Sequence, residues 1–364
     1  MSSTADAIAA VSQRLDTFFR SEADASRPLG PDAADFLAAS AAAVTGGKRL
    51  RARFCLTGWR AIAERDARTL PLPDALVSAA AALEVFHAAA LVHDDLIDNS
   101  DTRRGAPSAH RRFEASHRAA GWSGPAEPFG RAAAILSGDL LVAWSDDLLE
   151  QGLRGATPDA ASSTRAEYAR MRRDVTVGQF LDIAEESAFT TQPDEVHAER
   201  ALRVASYKSA RYSVEQPLRI GAALAGATAT QLDALSAFGH PVGMAFQLRD
   251  DVLGVFGDEA QTGKPSGDDL REGKRTVLIA YAREALPTGA RRTLDELVGD
   301  PTLDAGQIAS LQQTIVDSGA LARVEDLITA YALEADRALS GTPLGNTAVG
   351  ELRDLARAAT SRVA

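Results

Sequence analysis

The sequence predicts an all-α protein, and three observations carry that prediction. Alanine, the strongest helix former, dominates the chain; aromatic residues make up only 5% of it; and apolar residues recur three and four positions apart rather than alternating. With 364 residues the chain can bury a substantial core, and it shows no short-period repeat and no interdomain linker. One large helical domain over 1–364 is therefore expected, with an outer N-terminal helix in 1–30, a motif-bearing core over 40–280 and C-terminal helices over 281–364. A formal charge of −11 argues against nucleic-acid binding, so any basic patch must be local. Cys55 stands alone, which excludes a disulfide framework and a thiolate zinc site and fits a reducing, cytoplasmic setting.

Ala7 to Arg20 carries Ile8, Val11, Leu15 and Phe18 at helical spacing, which predicts the outer helix. Pro28 to Pro31 breaks it, and a short alanine-rich helix leads to Thr45-Gly46-Gly47-Lys48-Arg49-Leu50-Arg51. Paired glycines allow close backbone approach and cations follow at once. If the next helix starts here, Lys48 and Arg51 share a face and its first amides add to phosphate attraction. A glycine turn with solvated charges is the other reading of the same residues.

From Asp74 an alanine-rich run with Leu76, Leu83, Phe86 and Leu91 predicts a long helix that closes on His87-Ala-Ala-Ala-Leu-Val-His93-Asp94-Asp95-Leu-Ile-Asp98. His87, Asp94 and Asp98 fall on one face. Ala75 to Val92 resembles a membrane span, but Glu84, His87 and the aspartates that follow predict a buried core helix instead, with no transmembrane segment. Aspartate is a poor helix former, and the C-terminal end of the dipole disfavours it. A hard cation such as Mg²⁺, which takes one or two carboxylates and leaves positions for water and phosphate, would resolve the repulsion. A solvated acidic helix end is the alternative.

Arg103-Arg104-Gly105 follows in a loop, and Ala132 to Leu149 resumes as helix, with Asp146-Asp147 read as surface charge. Gly178-Gln179-Phe-Leu-Asp182 places an amide and a carboxylate three apart on a helix. Tyr207-Lys208-Ser209-Ala-Arg211 brings cations onto a segment leading into the apolar run of 220–227. Phe246-Gln247-Leu-Arg-Asp250-Asp251 then repeats the first pattern, an apolar helix ending in paired aspartates. Basic loops again follow, at Lys264 and at Gly273-Lys274-Arg275, with Asp268-Asp269 between them. Two acidic helix ends, each beside glycine-flanked cations, suit metals that bridge carboxylates to a diphosphate, with the rest of the ligand in an apolar cavity.

These motifs, Gly46 to Arg51, Asp94 to Asp98 with Arg103-Arg104-Gly105, Gly178 to Asp182, and Phe246-Gln247 with Asp250-Asp251 through Lys264, resemble in order those of the trans-isoprenyl diphosphate synthases, over roughly residues 40 to 280. The resemblance implies the all-α isoprenoid synthase bundle, a homodimer, and condensation of an allylic diphosphate with isopentenyl diphosphate. It implies three Mg²⁺ ions per active site. Asp94 and Asp98, with Asp95, match ligands of two of them; Asp250, helped by Asp251, matches the anchor of the third. Gly254 departs from the family, which often has a third aspartate there. Gly47, Lys48, Arg51, His87 and Arg104 match the isopentenyl diphosphate site. Arg103, Lys208, Ser209, Lys264 and Lys274 match the allylic diphosphate site, with Gln179, Asp182, Phe246, Gln247 and Asp269 in support.

Charge neutralisation of the departing diphosphate then drives ionisation, and no side-chain nucleophile is needed. A class I terpene cyclase would share the first aspartate motif but would leave Gly47, Lys48 and Arg51 idle. A His-Asp metal phosphohydrolase would need further histidines in register with His87 and His93, and His110 and His117 lie elsewhere in the chain. A non-catalytic subunit would not need both aspartate clusters. Ala89 and Ala90, the fifth and fourth residues before Asp94, are too small to stop a growing chain, and Phe86 lies one turn deeper. Geranylgeranyl diphosphate is the expected product, with farnesyl or longer polyprenyl diphosphates as the alternatives. Phe86 packed into the core away from the cavity is the competing placement.

Overall fold

The computed structural model describes residues 4–63, 72–258 and 265–360. Its described residues are almost wholly helical and fall into two compact units. One holds the chain up to Thr164 with Ile220–Gly226; the other holds Arg165–Arg219 and the chain from Ala227 onward.

The first unit opens with α1 (Thr4–Ala25), which buries Ala7, Val11, Leu15 and Phe18 on one side. The predicted stripe holds except at its start, where Ala7 rather than Ile8 is the deepest residue. Gly30 (φ 89°) and Pro31 turn the chain into α2 (Pro31–Ala42), because Pro needs no amide partner at a helix start. After α3 (Leu50–Ala63) comes α4 (Asp74–Ile97), the helix around which this unit is built. From Ala75 to Phe86 every residue of α4 is buried, so the helix is enclosed on all sides rather than along one stripe. By length and composition α4 could cross a membrane, yet 83% of its apolar window is buried inside the protein, as expected of a core helix. Fully buried Leu76 and Leu83 each contribute about 1.5–3 kcal/mol of apolar burial. The unit continues with a two-residue hairpin, β1 (Thr102–Arg103) and β2 (Ala106–Pro107), then α5 (Ala109–Ala119), α6 (Ala126–Leu153) and the first residues of α7 (Pro158–Ala188).

Glycines set the close crossings in this unit. A Cβ on Gly138 of α6 would meet the His93 ring at 2.1 Å, and one on Gly221 would meet the Cys55 carbonyl oxygen at 1.9 Å. Burial pushes the Cys55 thiol up to about 12, which keeps it protonated and inert.

In the second unit α7 is followed by α8 (His197–Val204), a π-helix over Ala205–Glu215, α9 (Gln216–Leu224, whose last residues belong to the first unit) and α10 (Ala229–Phe256). A reciprocal capping box between Thr228 and Gln231 starts α10. Next come α11 (Asp268–Glu272), α12 (Val277–Ala285), α13 (Thr288–Leu297), α14 (Ala305–Asp317), α15 (Ala320–Ala338) and α16 (Asn346–Thr360). Leu248, Val252, Val255, Val277, Leu278 and Ile315 form the centre of its core.

Candidate active site

The hairpin explains the paired arginines of the first unit. Its register pairs Thr102 with Pro107 and Arg103 with Ala106, leaving Arg104 (φ 54°) and Gly105 (φ 72°) as the two turn residues. Both central positions of the mirror-image turn that suits a tight hairpin need positive φ. The two arginines therefore go to different places. Arg103 donates from Nε to Asp95 at 2.8 Å and reaches Asp94 at 3.4 Å. Arg104 donates to the Thr45 carbonyl at 3.2 Å and lies along the glycine loop, where a Cβ on Gly47 would meet its guanidinium at 3.0 Å. Gly46 and Gly47 both have φ 79°, a conformation that glycine adopts without strain.

The α3 helix begins at Leu50, so Lys48 lies before it and the shared face expected for Lys48 and Arg51 does not form. Nor is every first-turn amide of α3 open to phosphate: the Ala52 N–H is taken by Glu84 at 3.0 Å. What does assemble is a ring of cations around His87. Burial first, and then the charges of Arg51, Arg104, Arg103 and Arg49, hold its imidazole well below the ordinary histidine range. A neutral histidine among arginines can donate or accept a hydrogen bond to an anionic ligand without adding to the repulsion. Burial and its cationic neighbours also lower the Arg104 guanidinium, which remains charged.

Seven residues on, about 10 Å along the helix axis, stand the aspartates. Asp94 and Asp98 are half-buried on one side, while Asp95 turns inward and is 3% exposed, against Arg103. The helix proper ends at Ile97, and Asp98 is its last cap. His93 is drawn away from the carboxylate face: its Nε2 lies 3.3 Å from the Ile135 carbonyl of α6. Phe86 and Ala89 are buried and Ala90 is half-buried.

In the second unit Asp250 and Asp251 lie on α10, and they divide in the same way. Asp250 is half-buried; Asp251 is buried and accepts from Gln247 at 2.6 Å. Burial, then the neighbouring Asp269 carboxylate, push Asp251 up to about 8. At the position where the family often has a third aspartate, a Cβ on Gly254 would meet the Asp269 carboxylate at 2.0–2.8 Å, so that carboxylate would have to move. Asp269 thus fills from α11 the space that a side chain at 254 would occupy. Lys274 faces Asp269 at 3.9 Å and Glu272 at 2.8 Å. Phe246 is half-buried on the same helix.

Lys208 sits on the π-helix, paired with Asp182 of α7. A Cβ on Gly178 would meet the Lys208 backbone nitrogen at 2.3 Å, so this glycine lets α7 and the π-helix pass in contact. Gln179 and Ser209 are half-buried beside them. The π-helix is a local departure that apolar periodicity does not report. Lys264 lies outside the described residues.

The donor sets are all-oxygen, which fits a hard divalent cation, and the crowding that raises Asp251 is what a cation would relieve. Among the described residues no three His, Cys, Asp or Glu side chains close around one point. Neither aspartate cluster is therefore an all-protein cage among the described residues, and Mg²⁺ suits such partial sites. Residues 35–315 match the polyprenyl synthetase model. The chain belongs to the polyprenyl synthetase family. It is a prenyltransferase that acts on isoprenyl diphosphates. Among solved structures it resembles the geranylgeranyl pyrophosphate synthase of Corynebacterium glutamicum complexed with isoprenyl diphosphate and magnesium. That match has 38% identity and a TM-score of 0.90 over 97% of this chain and 98% of the other. The geranylfarnesyl diphosphate synthase of Aeropyrum pernix is 32% identical over 85% of this chain and 88% of its own length. The heptaprenyl diphosphate synthase component 2 of Geobacillus stearothermophilus is also 32% identical, over 96% and 94%.

Proposed function

We propose that this polyprenyl synthetase is a Mg²⁺-dependent geranylgeranyl diphosphate synthase that adds isopentenyl diphosphate to an allylic diphosphate. The observation that carries the two-substrate reading is the split of the arginine pair, with Arg103 at the aspartates and Arg104 at the glycine loop. One hairpin thereby serves two anion sites. Gly47, Lys48, Arg51, Arg104 and His87 hold isopentenyl diphosphate, with the neutral imidazole of His87 as a hydrogen-bonding group rather than a base. Arg103, Lys208, Lys264 and Lys274 bind the allylic diphosphate, with Gln179, Ser209, Phe246, Gln247, Asp182 and Asp269 in support. Asp94, Asp95, Asp98, Asp250 and Asp251 would hold Mg²⁺, three ions per active site, which when bound supply charge neutralisation to the diphosphate. The cations of the chain complete that neutralisation as the allylic C–O bond ionises. The isopentenyl double bond then attacks the allylic cation, and the released diphosphate takes the departing proton. The whole chain is proposed to act as one isoprenoid synthase domain and to pair as a homodimer.

Product length rests on Ala89, Ala90 and Phe86. The small residues four and five before Asp94 admit a fifteen-carbon primer, and Phe86, buried one turn deeper, forms part of the floor. A turn rises about 5.4 Å, comparable to one extended isoprene unit. Relatives named for geranylgeranyl, geranylfarnesyl and heptaprenyl products support the reaction and leave chain length to this reading. Incubation with Mg²⁺, labelled isopentenyl diphosphate and a series of allylic primers, followed by chromatography, tests both parts. A twenty-carbon product is expected. A longer main product overturns the length, and no isopentenyl incorporation overturns the reaction.

A further inference from the structure

Glu84 stands three residues before His87 on α4, is only 6% exposed, and is a carboxylate among cations. Its Oε1 accepts the Ala52 N–H at 3.0 Å, and its Oε2 faces an Arg49 Nη at 3.5 Å. The first amides of a helix have no intrahelical partner, and the usual local cap is a Ser, Thr, Asp or Asn just before the helix. Before α3 that position holds Arg49, which cannot accept a hydrogen bond through its side chain. The cap comes instead from another helix, so the start of α3 is tied to α4 by one buried side chain. The macrodipole favours a negative charge there. Arg49 also has φ 51°, a left-handed conformation that a non-glycine residue keeps only when its surroundings hold it. Its contact with Glu84 is such a restraint. Glu84 further offsets the mutual repulsion around Arg104, whose ionisation it favours.

We propose that Glu84 is a positioning residue that sets affinity for isopentenyl diphosphate, by holding the loop of Lys48 and the first turn of α3, with Arg51, against His87. It touches no substrate. The inference rests on the assignment of Lys48, Arg51 and His87 to that diphosphate under the proposed function.

Steady-state kinetics with each substrate varied separately test it. Glu84→Gln keeps an oxygen for the Ala52 amide but loses the charge, and Glu84→Ala loses both. The KM for isopentenyl diphosphate should rise about tenfold in Glu84→Gln and further in Glu84→Ala. In Glu84→Gln, kcat and the allylic KM should stay within about twofold of wild type. Lys48→Ala and Arg51→Ala, measured in parallel, should raise the same constant. If they do while Glu84→Gln leaves it unchanged, or lowers only the melting temperature, the positioning role is overturned and the site reading stands. If Lys48→Ala and Arg51→Ala also leave it unchanged, the site assignment itself fails. Should Glu84→Ala not fold, Glu84→Gln alone decides.

Discussion

Arg103 lies against Asp95, with Nε 2.8 Å from the buried carboxylate, and this pair separates Asp95 from the half-buried Asp94 and Asp98. Asp94 and Asp98 share the face expected of them, whereas Asp95 is engaged by Arg103. Asp95→Ala should remove a buried charge-assisted contact of Arg103 and lower stability by about 1–3 kcal/mol. Asp94→Ala and Asp98→Ala should melt near wild type yet lose turnover by orders of magnitude, because they leave diphosphate charge uncompensated. Thermal melts beside initial rates check the split, and full activity of Asp94→Ala, or of wild type in EDTA, would sink the metal assignment.

Lys48, on the loop before α3, and Lys208, on the π-helix, should fail differently. Lys48→Ala should raise the KM for isopentenyl diphosphate, and Lys208→Ala, which also releases Asp182, should raise that for the allylic substrate. Each lost charge-assisted contact is worth about 1.5–3 kcal/mol, or one to two decades. Equal effects on both substrates would show that the sites are divided wrongly.

Gly254→Asp would place in this chain the third aspartate common in the family. Its Cβ requires the space that the Asp269 carboxylate fills, so Asp269 must swing away. The variant should fold and lose activity, and Gly254→Asp combined with Asp269→Ala should regain part of it. Wild-type rates in the single variant would mean that Asp269 has no role in the site.

His87 gives a pH test of the cation ring. Its folded-state pKa is depressed, so above about 6.5 both folded and unfolded chains hold it neutral and its titration adds no pH dependence to stability. As pH falls below that value the unfolded chain binds a proton that the folded chain refuses, and stability drops by at most about 1.4 kcal/mol per pH unit. His110 and His240 are also lowered and remain in both proteins, so the comparison is wild type against His87→Gln. The variant should lose less stability between pH 6.5 and 5. Parallel melting curves across that range would disprove the depressed imidazole.

Phe86→Ala should lengthen the products, and Ala90→Phe should shorten them to about fifteen carbons, one turn of helix corresponding to one isoprene unit. Chromatography of the chain-length distribution reads both. An unchanged distribution in Phe86→Ala would place the floor elsewhere.

The helical class, the buried course of α4 from Asp74, and which residue types stand near one another along the chain are all legible in the residues alone. Those features follow from propensity, from three- and four-residue spacing, and from motifs that are local in sequence. Which partner each charge takes depends on contacts between elements distant in sequence. Arg103 and Arg104 are adjacent in sequence, and a two-residue turn with positive φ sends them to different sites. Asp95 and Asp251 read like their neighbours but are buried, because a helix turns consecutive residues about 100° apart and the burial of its faces is set by other helices. Glu84 is a polar interruption in an apolar run, and its partner is the Ala52 amide, 32 residues away. Gly254 stands where a third aspartate is often found, and the Asp269 carboxylate fills that space from another helix. Periodicity reports which face of an element is apolar; it carries no information about which distant group will meet that face.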